Sequence, residues 1–547
     1  RHCIRTTHAE QNAIVQAARA GVSINEATLY CKMTPCYTCA KMIINAGIKK
    51  VVCAMDYHAG SRSKELFLEA GVEFILLNES MLSYSDMGNN KNIATTNIDS
   101  KTISTKIENP VKKFTDRNLQ DVFIYDEFNP EDTAMLQALY SRSPESVENH
   151  VNKVRETGSG KFMETFYVGY GHSSIADCGS TTIFIENISI LADKAIQDWA
   201  LYSGQETSTR YVDMSKQKIV DPVNTFESKN ILNDWMNFYI TSQEKVEQYL
   251  QSQYPRKENE KESVYNKAIK ARAFDILRGF LPAGITTQLS WHTNLRQAWD
   301  KLSIMKFHPL NEVREISEKI IKILKGKYPH SFCFEPTNEQ DFYKQTCNIK
   351  YNYFAPKEFS SEFKFFTDIK ISEINEYKSI LERPTKTGLP DFLTEMGLNK
   401  FEFLLDYGSF RDIQRHRHGV CRMPLLTTRF GFHNWYISQL PVDLQNEANI
   451  LIEKQKEKID NLFASAEIKQ YYIPLGFLVP CRVSYGLPAA VYVAELRSGK
   501  PVHPTLRQIA HKMCFALTEN FPNLKLNCDL EKDDWDVRRG LQDIIKK

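Results

Sequence analysis

The sequence has no run of about 18 consecutive apolar residues, and this absence argues against a membrane-spanning helix in the chain. It also has no hydrophobic leader segment, so nothing at its start predicts export. The first residue is Arg1 rather than methionine, however, and we therefore expect the chain to be a fragment of a longer product.

Charge of one sign is not in excess either. Lys and Arg number 69 against 67 Asp and Glu, which leaves a formal net charge of +2. No basic block or basic and aromatic stripe indicates a nucleic-acid surface, so we expect small-molecule partners. The 12 cysteines are scattered instead of forming a disulfide framework, which favours a reducing cytoplasm. With 547 residues, 42% of them hydrophobic, the chain is long enough for several globular domains.

The most informative motif lies near the start of the chain, where His8-Ala9-Glu10 is followed by Pro35-Cys36-Tyr37-Thr38-Cys39. One imidazole and two thiolates supply three ligands of a tetrahedral zinc ion and leave the fourth position open for water. Glu10 is then available as general base toward that water and as general acid toward a departing amine. Cys-x-x-Cys alone is equally typical of a redox pair or half a zinc ribbon, but the combined pattern favours a hydrolytic zinc deaminase.

Residues 1 to about 78 resemble deoxycytidylate (dCMP) deaminases, through Cys3–Ile14, Ala27–Tyr30 and Ala40–Val52 in addition to the zinc motif. The resemblance implies a three-layer α-β-α domain at residues 1–80, with zinc held by His8, Cys36 and Cys39. It implies a helix carrying His8 and Glu10, a second helix opened by Pro35 and Cys36, and a strand at Val51 to Ala54. Tyr57 stands where the family has an aromatic wall near the substrate, although a surface aromatic is an equal alternative. The family's first helix and strands would precede this segment, so part of the pocket lies outside the sequence.

Residues 81–118 are rich in Asn, Ser, Thr and Lys and show no sustained periodicity, which predicts a flexible linker. The roughly 430 residues that follow alternate amphipathic helical stretches with short apolar strands. This length is more than one hydrophobic core ordinarily contains, so we expect two further domains.

The first of these domains contains Glu206-Thr207-Ser208-Thr209-Arg210-Tyr211. In an extended segment, Glu206, Ser208 and Arg210 project to one side and offer an acceptor, a hydroxyl and a guanidinium that suit a nucleotide. A solvated edge strand is the alternative. The second domain contains Arg411 and Arg415-His416-Arg417-His418 at the end of a helix-like stretch from Phe401 to Gln414. These cations either satisfy the carbonyls of the helix end or bind a pyrophosphate.

Together these segments resemble flavin-dependent thymidylate synthases, whose signature joins Arg-His-Arg to Glu-x-Ser-x-Arg-Tyr. The resemblance implies two α+β copies, at residues 119–332 and 333–547, with the signature divided between them. The first copy keeps Glu206, Ser208, Arg210 and Tyr211 but has Ala200-Leu201-Tyr202 in the region of Arg-His-Arg. The second keeps Arg415, His416 and Arg417 but continues with Met423-Pro424-Leu425-Leu426.

The same division recurs later in the two copies. Arg278-Gly279-Phe280-Leu281-Pro282 and Trp291-His292-Thr293-Asn294 resemble the family's Arg-x-x-Leu-Pro and Trp-x-x-Asn, while Met305 falls where a substrate-binding arginine is expected. The second copy keeps that arginine as Arg497, followed by His503, and has Gln470 in place of the earlier one.

Family members are tetramers whose sites combine residues of different subunits, so the resemblance implies one composite site per chain and two chains per tetramer-like particle. In that site Arg210, Arg278 and Arg497 hold the phosphate of dUMP and polarise its pyrimidine, with Glu206 and Ser208 beside them. Arg415, His416 and Arg417 bind FAD, and His172 lies near flavin and folate. NADPH and methylenetetrahydrofolate are the co-substrates.

The sequence thus predicts a bifunctional enzyme that converts dCMP to dUMP and then dUMP to dTMP. Two other functions stay open. One is an active deaminase beside inactive synthase-like halves that serve as a nucleotide-binding or oligomerising scaffold. The other is a nucleic-acid deaminase with an accessory module.

Overall fold

The structure is a computed structural model that describes residues 8–19, 21–56, 60–77, 125–143, 145–333 and 335–531. Tyr57 and the linker predicted at 81–118 lie outside the described residues. The chain divides into two compact units, Arg1–Leu119 and Gln120–Lys547. Among the described residues, no helix is both long enough and apolar enough to cross a membrane.

The first unit is a small parallel sheet covered by helices. Its strands lie in the order β1-β2-β3 and its helices alternate with them along the chain. The elements are α1 Ala9–Arg19, β1 Thr28–Met33, α2 Tyr37–Asn45, β2 Lys50–Met55, α3 Ser61–Glu69 and β3 Glu73–Leu76. Ile43 of α2, Phe67 of α3, and Val51 and Cys53 of β2 are fully buried, so the helices pack on the sheet through β2. Helix α2 contacts both α1 and α3.

The second unit contains two antiparallel sheets and 18 described helices. The first sheet has the order β4-β6-β5 and the second the order β7-β8-β10-β9. The strands are β4 Ser180–Ser189, β5 Ser203–Glu206, β6 Thr286–Asn294, β7 Lys364–Thr367, β8 Leu398–Asp406, β9 Gly419–Cys421 and β10 Leu478–Gly486. The helices are α4 Pro130–Tyr140, α5 Val147–Thr157, α6 Gly160–Phe162, α7 Ser173–Ala176, α8 Ile190–Gln197, α9 Phe226–Gln253, α10 Glu262–Leu277, α11 Leu295–Met305, α12 Asn311–Lys327, α13 Asn338–Tyr351, α14 Ile371–Ile374, α15 Lys378–Leu381, α16 Tyr407–Ile413, α17 Asn434–Ser438, α18 Val442–Asn461, α19 Ala466–Lys469, α20 Leu487–Ser498 and α21 Pro504–Asn520.

Each of the four long strands of these two sheets runs directly into a helix, and at three of these junctions a side chain caps the helix. Ser189, Asn294 and Asp406 end β4, β6 and β8, and each side chain accepts a hydrogen bond from a backbone N–H of the next helix's first turn. Such caps satisfy donors that a helix start leaves without partners. Three of the four strand-to-helix junctions lead into helices that carry residues of the candidate site, namely α8, α16 and α20.

The two sheets are joined through the backbone segments that precede β6 and β10. Ala283 N–H donates to the Ile473 carbonyl at 3.0 Å and Leu475 N–H donates to the Leu281 carbonyl at 2.9 Å, around a bridge between Pro282 and Pro474. Helices α9 and α18 pack against each other, and one continuous core spans both sheets. The residues of the two predicted copies therefore share one core.

Two details of the predicted secondary structure are wrong. The stretch from Phe401 to Gln414 is not one helix, because residues up to Asp406 form β8 and only Tyr407–Ile413 is helical. Along β8 the burial alternates from residue to residue, which is the period of a strand. The segment from Glu206 to Arg210 is extended only to Glu206, after which Arg210 N–H donates to Ser208 Oγ at 3.2 Å within a turn.

A disulfide bond joins Cys514 of α21 to Cys528. It closes a loop with a sequence separation of 14 and ties the segment that follows α21 to this helix. The scattered cysteines of the sequence did not predict this pairing, because the two residues are brought together by the turn after α21.

Candidate functional site

The three predicted zinc ligands converge in the first unit. Their donor atoms, His8 Nδ1, Cys36 Sγ and Cys39 Sγ, all lie within 4.8 Å of one another. Nδ1 is 3.4 Å from each sulfur and the two sulfurs are 3.6 Å apart. Zn–S and Zn–N bonds in a tetrahedral site imply S···S and S···N separations of about 3.8 and 3.6 Å. The three donors therefore have the spacing that a zinc ion requires.

Two helix starts hold this donor set. His8 directly precedes α1, while Cys36 caps α2 and Cys39 lies in the first turn of the same helix. A helix N-terminus stabilises a thiolate, which is the form of cysteine that binds metal. Glu10 is in the first turn of α1, and its Oε2 lies 3.6 Å from Cys39 Sγ. Its carboxylate thus lies next to the three metal-ligand atoms without being one of them, which is the position that a general acid and base requires.

A polar triad behind the zinc motif was not predicted from the sequence. Asp56, which follows β2, accepts hydrogen bonds from Thr34 Oγ1 at 2.7 Å and from Lys64 Nζ at 2.5 Å. Because Thr34 lies between β1 and Cys36, this contact fixes the segment that leads into the second ligand motif. No local spacing signals it, since its members come from three different elements.

In the second unit, the two parts of the divided signature meet within one chain. The carboxylate of Glu206, at the end of β5, forms an ion pair with Arg415, which follows α16. Glu206 also lies 2.7 Å from Lys194 Nζ and 3.5 Å from Arg411 Nη2, and its side chain is only 3% exposed. Burial alone would raise the pKa of Glu206, but Lys194 and the two guanidinium groups hold it well below the usual range. Glu206 is therefore ionised.

Gln197 connects this ion cluster to α8. Its side-chain amide donates to Glu206 Oε2 at 2.5 Å and to Asp193 Oδ1 at 2.9 Å. Asp193 and Lys194 are completely buried, with 3.6 Å between carboxylate and ammonium. Burial, followed by the nearby carboxylate of Glu206, raises the pKa of Asp193 well above its usual range. Asp193, Lys194 and Gln197 were not predicted as site residues, although Gln197 follows Asp193 by four positions and Lys194 by three, spacings that make side chains neighbours on a helix.

A second group of arginines surrounds Asp412. Burial opposes its ionisation, but Arg497, Arg415, Arg210 and Arg278 together lower the pKa of its carboxyl group. Arg497 Nη2 also donates to the Asp412 carbonyl at 2.7 Å. Two of these arginines come from each predicted copy. Arg210, Arg278 and Arg415 also face carboxylates of other residues, whereas Arg497 forms no ion pair within the described residues and has the chemistry to bind an anion such as phosphate.

The imidazole of His416 is held in its neutral form. Arg497 Nε donates to His416 Nε2 at 2.8 Å, so this nitrogen must be an acceptor. Burial and the Arg497 charge lower the pKa of His416 to about 3. The ring of Tyr492, 57% exposed, lies with its centroid 6.0 Å from that of His416. An exposed aromatic face beside guanidinium groups has the chemistry to bind a planar, phosphorylated cofactor.

Arg210 and Arg278 are held differently from each other. Arg210 donates to both oxygens of Asp275, at 2.7 and 3.2 Å, and to the Pro501 carbonyl at 3.2 Å. Arg278 is 1% exposed and donates to Ser409 Oγ at 2.8 Å. Both therefore join the two halves, but Arg278 does so from inside the core.

The remaining predicted residues are less central. Ser208 accepts the turn hydrogen bond from Arg210, and Arg417 donates to the Gln197 carbonyl at 3.3 Å. His172 lies in an exposed turn before α7, where its ring centroid is 6.1 Å from that of Tyr170. Within the described residues, no hydrogen bond or ion pair connects His172 with the arginines.

Two family models match parts of the chain. A family model described as "Cytidine and deoxycytidylate deaminase zinc-binding region" matches residues 1–55, and one described as "Thymidylate synthase complementing protein" matches residues 124–330. Among individual proteins, "UPF0159 protein Ta1429" of Thermoplasma acidophilum is 26% identical over 472 residues, which cover 72% of this chain and 94% of the relative.

The relatives of the first unit match over shorter stretches. "ComE operon protein 2" of Bacillus subtilis is 49% identical over 71 residues, 13% of this chain and 38% of that protein. "Deoxycytidylate deaminase" of Enterobacteria phage T4 is 45% identical over 67 residues, 12% of this chain and 35% of that protein. The chain thus spans under two fifths of the length of these two relatives. Both family models agree with the resemblances in the sequence: the deaminase model over residues 1–55 and the thymidylate synthase complementing protein model over residues 124–330.

Proposed function

We propose that the chain is a bifunctional enzyme of pyrimidine deoxynucleotide synthesis in the cytoplasm. The first unit hydrolyses dCMP to dUMP and ammonia with Zn²⁺. The second methylates dUMP to dTMP with FAD, methylenetetrahydrofolate and NADPH. The observation that carries this proposal is the ion pair between Glu206 and Arg415, which joins the two incomplete parts of one signature.

In the deaminase unit, His8, Cys36 and Cys39 would hold the metal. A bound Zn²⁺ supplies the Lewis acidity that makes water nucleophilic at neutral pH. Glu10 accepts a proton from the attacking water and transfers it to the departing amino group, since its carboxylate lies next to the donor set. Glu10 is thus the catalytic acid and base.

Two copies of one fold account for the second unit. The order β4-α8-β5-α9-β6-α11 matches β8-α16-β9-α18-β10-α20 once α10 of the first copy and α17 and α19 of the second are set aside, and in each the two long strands pair antiparallel. Gln197 and Gln414 then stand at the same distance from the caps Ser189 and Asp406. On this alignment Asp198-Trp199-Ala200, rather than residues 200–202, take the place of Arg415-His416-Arg417.

The composite site would bind dUMP through its phosphate and position the base. Arg210, Arg415 and Arg497 are close enough that their charges all act on the Asp412 carboxylate, and Arg497, which forms no ion pair within the described residues, would contact the phosphate. The ionised Glu206 positions Arg415. Arg415, His416, Arg417 and the ring of Tyr492 would hold the flavin, which supplies hydride chemistry when bound. Two chains would form the tetramer-like particle.

The test uses the full chain reconstituted with Zn²⁺ and FAD. We expect a yellow protein that releases ammonia from dCMP and tritium from [5-³H]dUMP. Arg415→Ala should abolish tritium release and leave ammonia release unchanged, and Arg422→Ala, an arginine outside the cluster, serves as matched control. Flavin binding without tritium release would show that the second unit is a binding scaffold. Deamination of single-stranded DNA in preference to dCMP would contradict the nucleotide substrate.

A further inference from the structure

Arg497 is held by two acceptors along one edge of its guanidinium group. Its Nε donates to His416 Nε2 at 2.8 Å, and its Nη2 donates to the Asp412 carbonyl at 2.7 Å. Two hydrogen bonds to neighbouring nitrogens fix the plane of the group. Within the described residues, Nη1 forms no hydrogen bond. The end of the guanidinium group that pairs with phosphates and carboxylates is therefore uncommitted.

The acceptor on Arg497 differs in charge from the partners of two other site arginines. Arg210 and Arg415 each pair with a buried carboxylate. His416 is neutral instead, because burial and the Arg497 charge lower its pKa to about 3. A neutral imidazole orients a guanidinium group without neutralising it, whereas a carboxylate does both. Arg497 thus keeps a charge that no ion pair within the described part of the chain neutralises.

The contact with Arg497 also determines which ring nitrogen of His416 carries the proton. A neutral imidazole has one acceptor nitrogen and one N–H group. Because Nε2 accepts from Arg497, the proton is on Nδ1. Nδ1–H forms no hydrogen bond with a described residue, and His416 lines a cavity of about 700 Å³ to which both predicted copies contribute. One nitrogen of the ring is therefore bound to Arg497, and the other is available to the flavin.

The first copy lacks both members of this pair. At equal distances from the helix starts, His416 corresponds to Trp199 and Arg497 corresponds to Met305. Trp199 and Met305 line the same cavity as His416. An indole has no acceptor atom for a guanidinium N–H, so an arginine at position 305 would lack the partner that Arg497 has. The histidine and the arginine are thus present together in one copy and absent together from the other.

From these contacts we propose that His416 is a positioning residue for the nucleotide. By accepting from Arg497, it holds the uncommitted end of the guanidinium group ready for the phosphate of dUMP and leaves its charge intact. This role is additional to a contact with the flavin and rests on the proposed function of the second unit. His416 then connects the binding of the two ligands, since one ring nitrogen serves each of them.

Binding of dUMP to the full chain, loaded with Zn²⁺ and FAD, tests this role. Titration calorimetry gives the dissociation constant of dUMP, and visible absorbance gives the amount of bound flavin. His416→Asn is too short to reach Arg497 and should weaken dUMP binding by about ten-fold or more, because it removes a charge-assisted hydrogen bond. It should keep the flavin, since its amide lies near the position of Nδ1. His416→Gln places a neutral amide oxygen near the position of Nε2 and should bind dUMP within about three-fold of wild type.

Two further variants separate positioning from a general effect on the fold. Arg497→Lys should weaken dUMP binding in the wild-type background but change it by less than about two-fold in the His416→Asn variant, because the two residues act as one unit. His511→Asn is the matched control, since the imidazole of His511 contacts the Asp529 carbonyl at 2.9 Å instead of a site arginine. It should leave the dissociation constant of dUMP unchanged.

The positioning role is refuted if His416→Gln binds dUMP as weakly as His416→Asn. It is also refuted if His416→Asn loses flavin and dUMP together, because His416 would then act through the flavin alone. A wild-type protein that binds FAD but no dUMP would overturn the proposed function as well. If wild type and His416→Asn bind dUMP equally tightly, only the positioning role is wrong.

Discussion

Replacing Glu206 by glutamine tests whether one carboxylate holds the composite site together. The substitution keeps the shape of the side chain and removes the carboxylate charge that lies within ion-pair distance of Lys194, Arg411 and Arg415. Lys194 is completely buried and would keep only Asp193, 3.6 Å away, as an acidic neighbour. Leaving a buried charge without its partner costs about 3 to 5 kcal/mol. We expect a loss of stability of this order in the second unit at neutral pH.

The assay is urea unfolding followed by tryptophan fluorescence. All six tryptophans lie within residues 120–547, so the signal reports on the second unit alone. Glu402→Gln is the control, because Glu402 pairs with the half-exposed Arg482 at 2.7 Å, and such a pair contributes less than about 1 kcal/mol. Ammonia release from dCMP should be the same in wild type and both variants.

The reason for the loss can be tested separately. If the unpaired Lys194 ammonium is responsible, the double variant Glu206→Gln with Lys194→Met should recover much of the lost stability. The penalty should also shrink as pH rises, because burial already lowers the pKa of Lys194 and the ammonium can lose its proton. A single variant within about 0.5 kcal/mol of wild type, or a penalty that Lys194→Met leaves unchanged, would refute the reasoning.

Three further predictions concern other parts of the chain. Glu10→Gln should keep one zinc per chain by mass spectrometry of the metal but slow deamination by about 10² to 10⁴, whereas Cys39→Ser should lose the metal. Because His308 and His416 are neutral in the fold, their full contribution to stability is present above the unfolded pKa of about 6.5. That contribution is lost as pH falls toward their folded pKa of about 3. Each contributes a loss of about 2 kcal/mol at about pH 5, so His308→Gln should flatten the acid limb of the unfolding midpoint plotted against pH. Cys528→Ser should lower the thermal midpoint and make it insensitive to reductant, because the 14-residue loop is worth about 3 kcal/mol.

The zinc site could be predicted almost completely from the sequence, because its chemistry permits few residue types and its ligands start two helices. His8 and the pair Cys36 and Cys39 each occupy a local motif, so only the meeting of the two motifs depends on tertiary structure. The triad around Asp56 could not be predicted, since hydrogen bonds between three elements have no signature in local spacing.

In the second unit the signature residues could be predicted from the sequence, but their contacts and the buried ion cluster could not. Glu206 and Arg415 are 209 positions apart, and their contact could be predicted only from the resemblance to a family whose sites combine residues of different subunits. The strand that ends at Asp406 was mistaken for a helix, because a run of apolar residues fits either a buried strand or a buried helix. Lys194 and Asp193 lie in a helix that looks apolar, and only the fold shows that both are buried against an ion cluster.

The complementary losses in the two proposed copies have a physical explanation. Where the first copy has Glu206, the second has Met423, which is 3% exposed and packs within the core. Without a carboxylate at position 423, arginines at 198–200 would face no anion, and an unpaired buried cation is destabilising. Loss of the acid therefore favours loss of its cations, and loss of the cations favours an apolar side chain in place of the acid. Glu206 and Arg415 are retained for the same reason, because each stabilises the charge of the other. The pairing of acid and cations therefore explains why one half-site would be lost completely while the other stays intact.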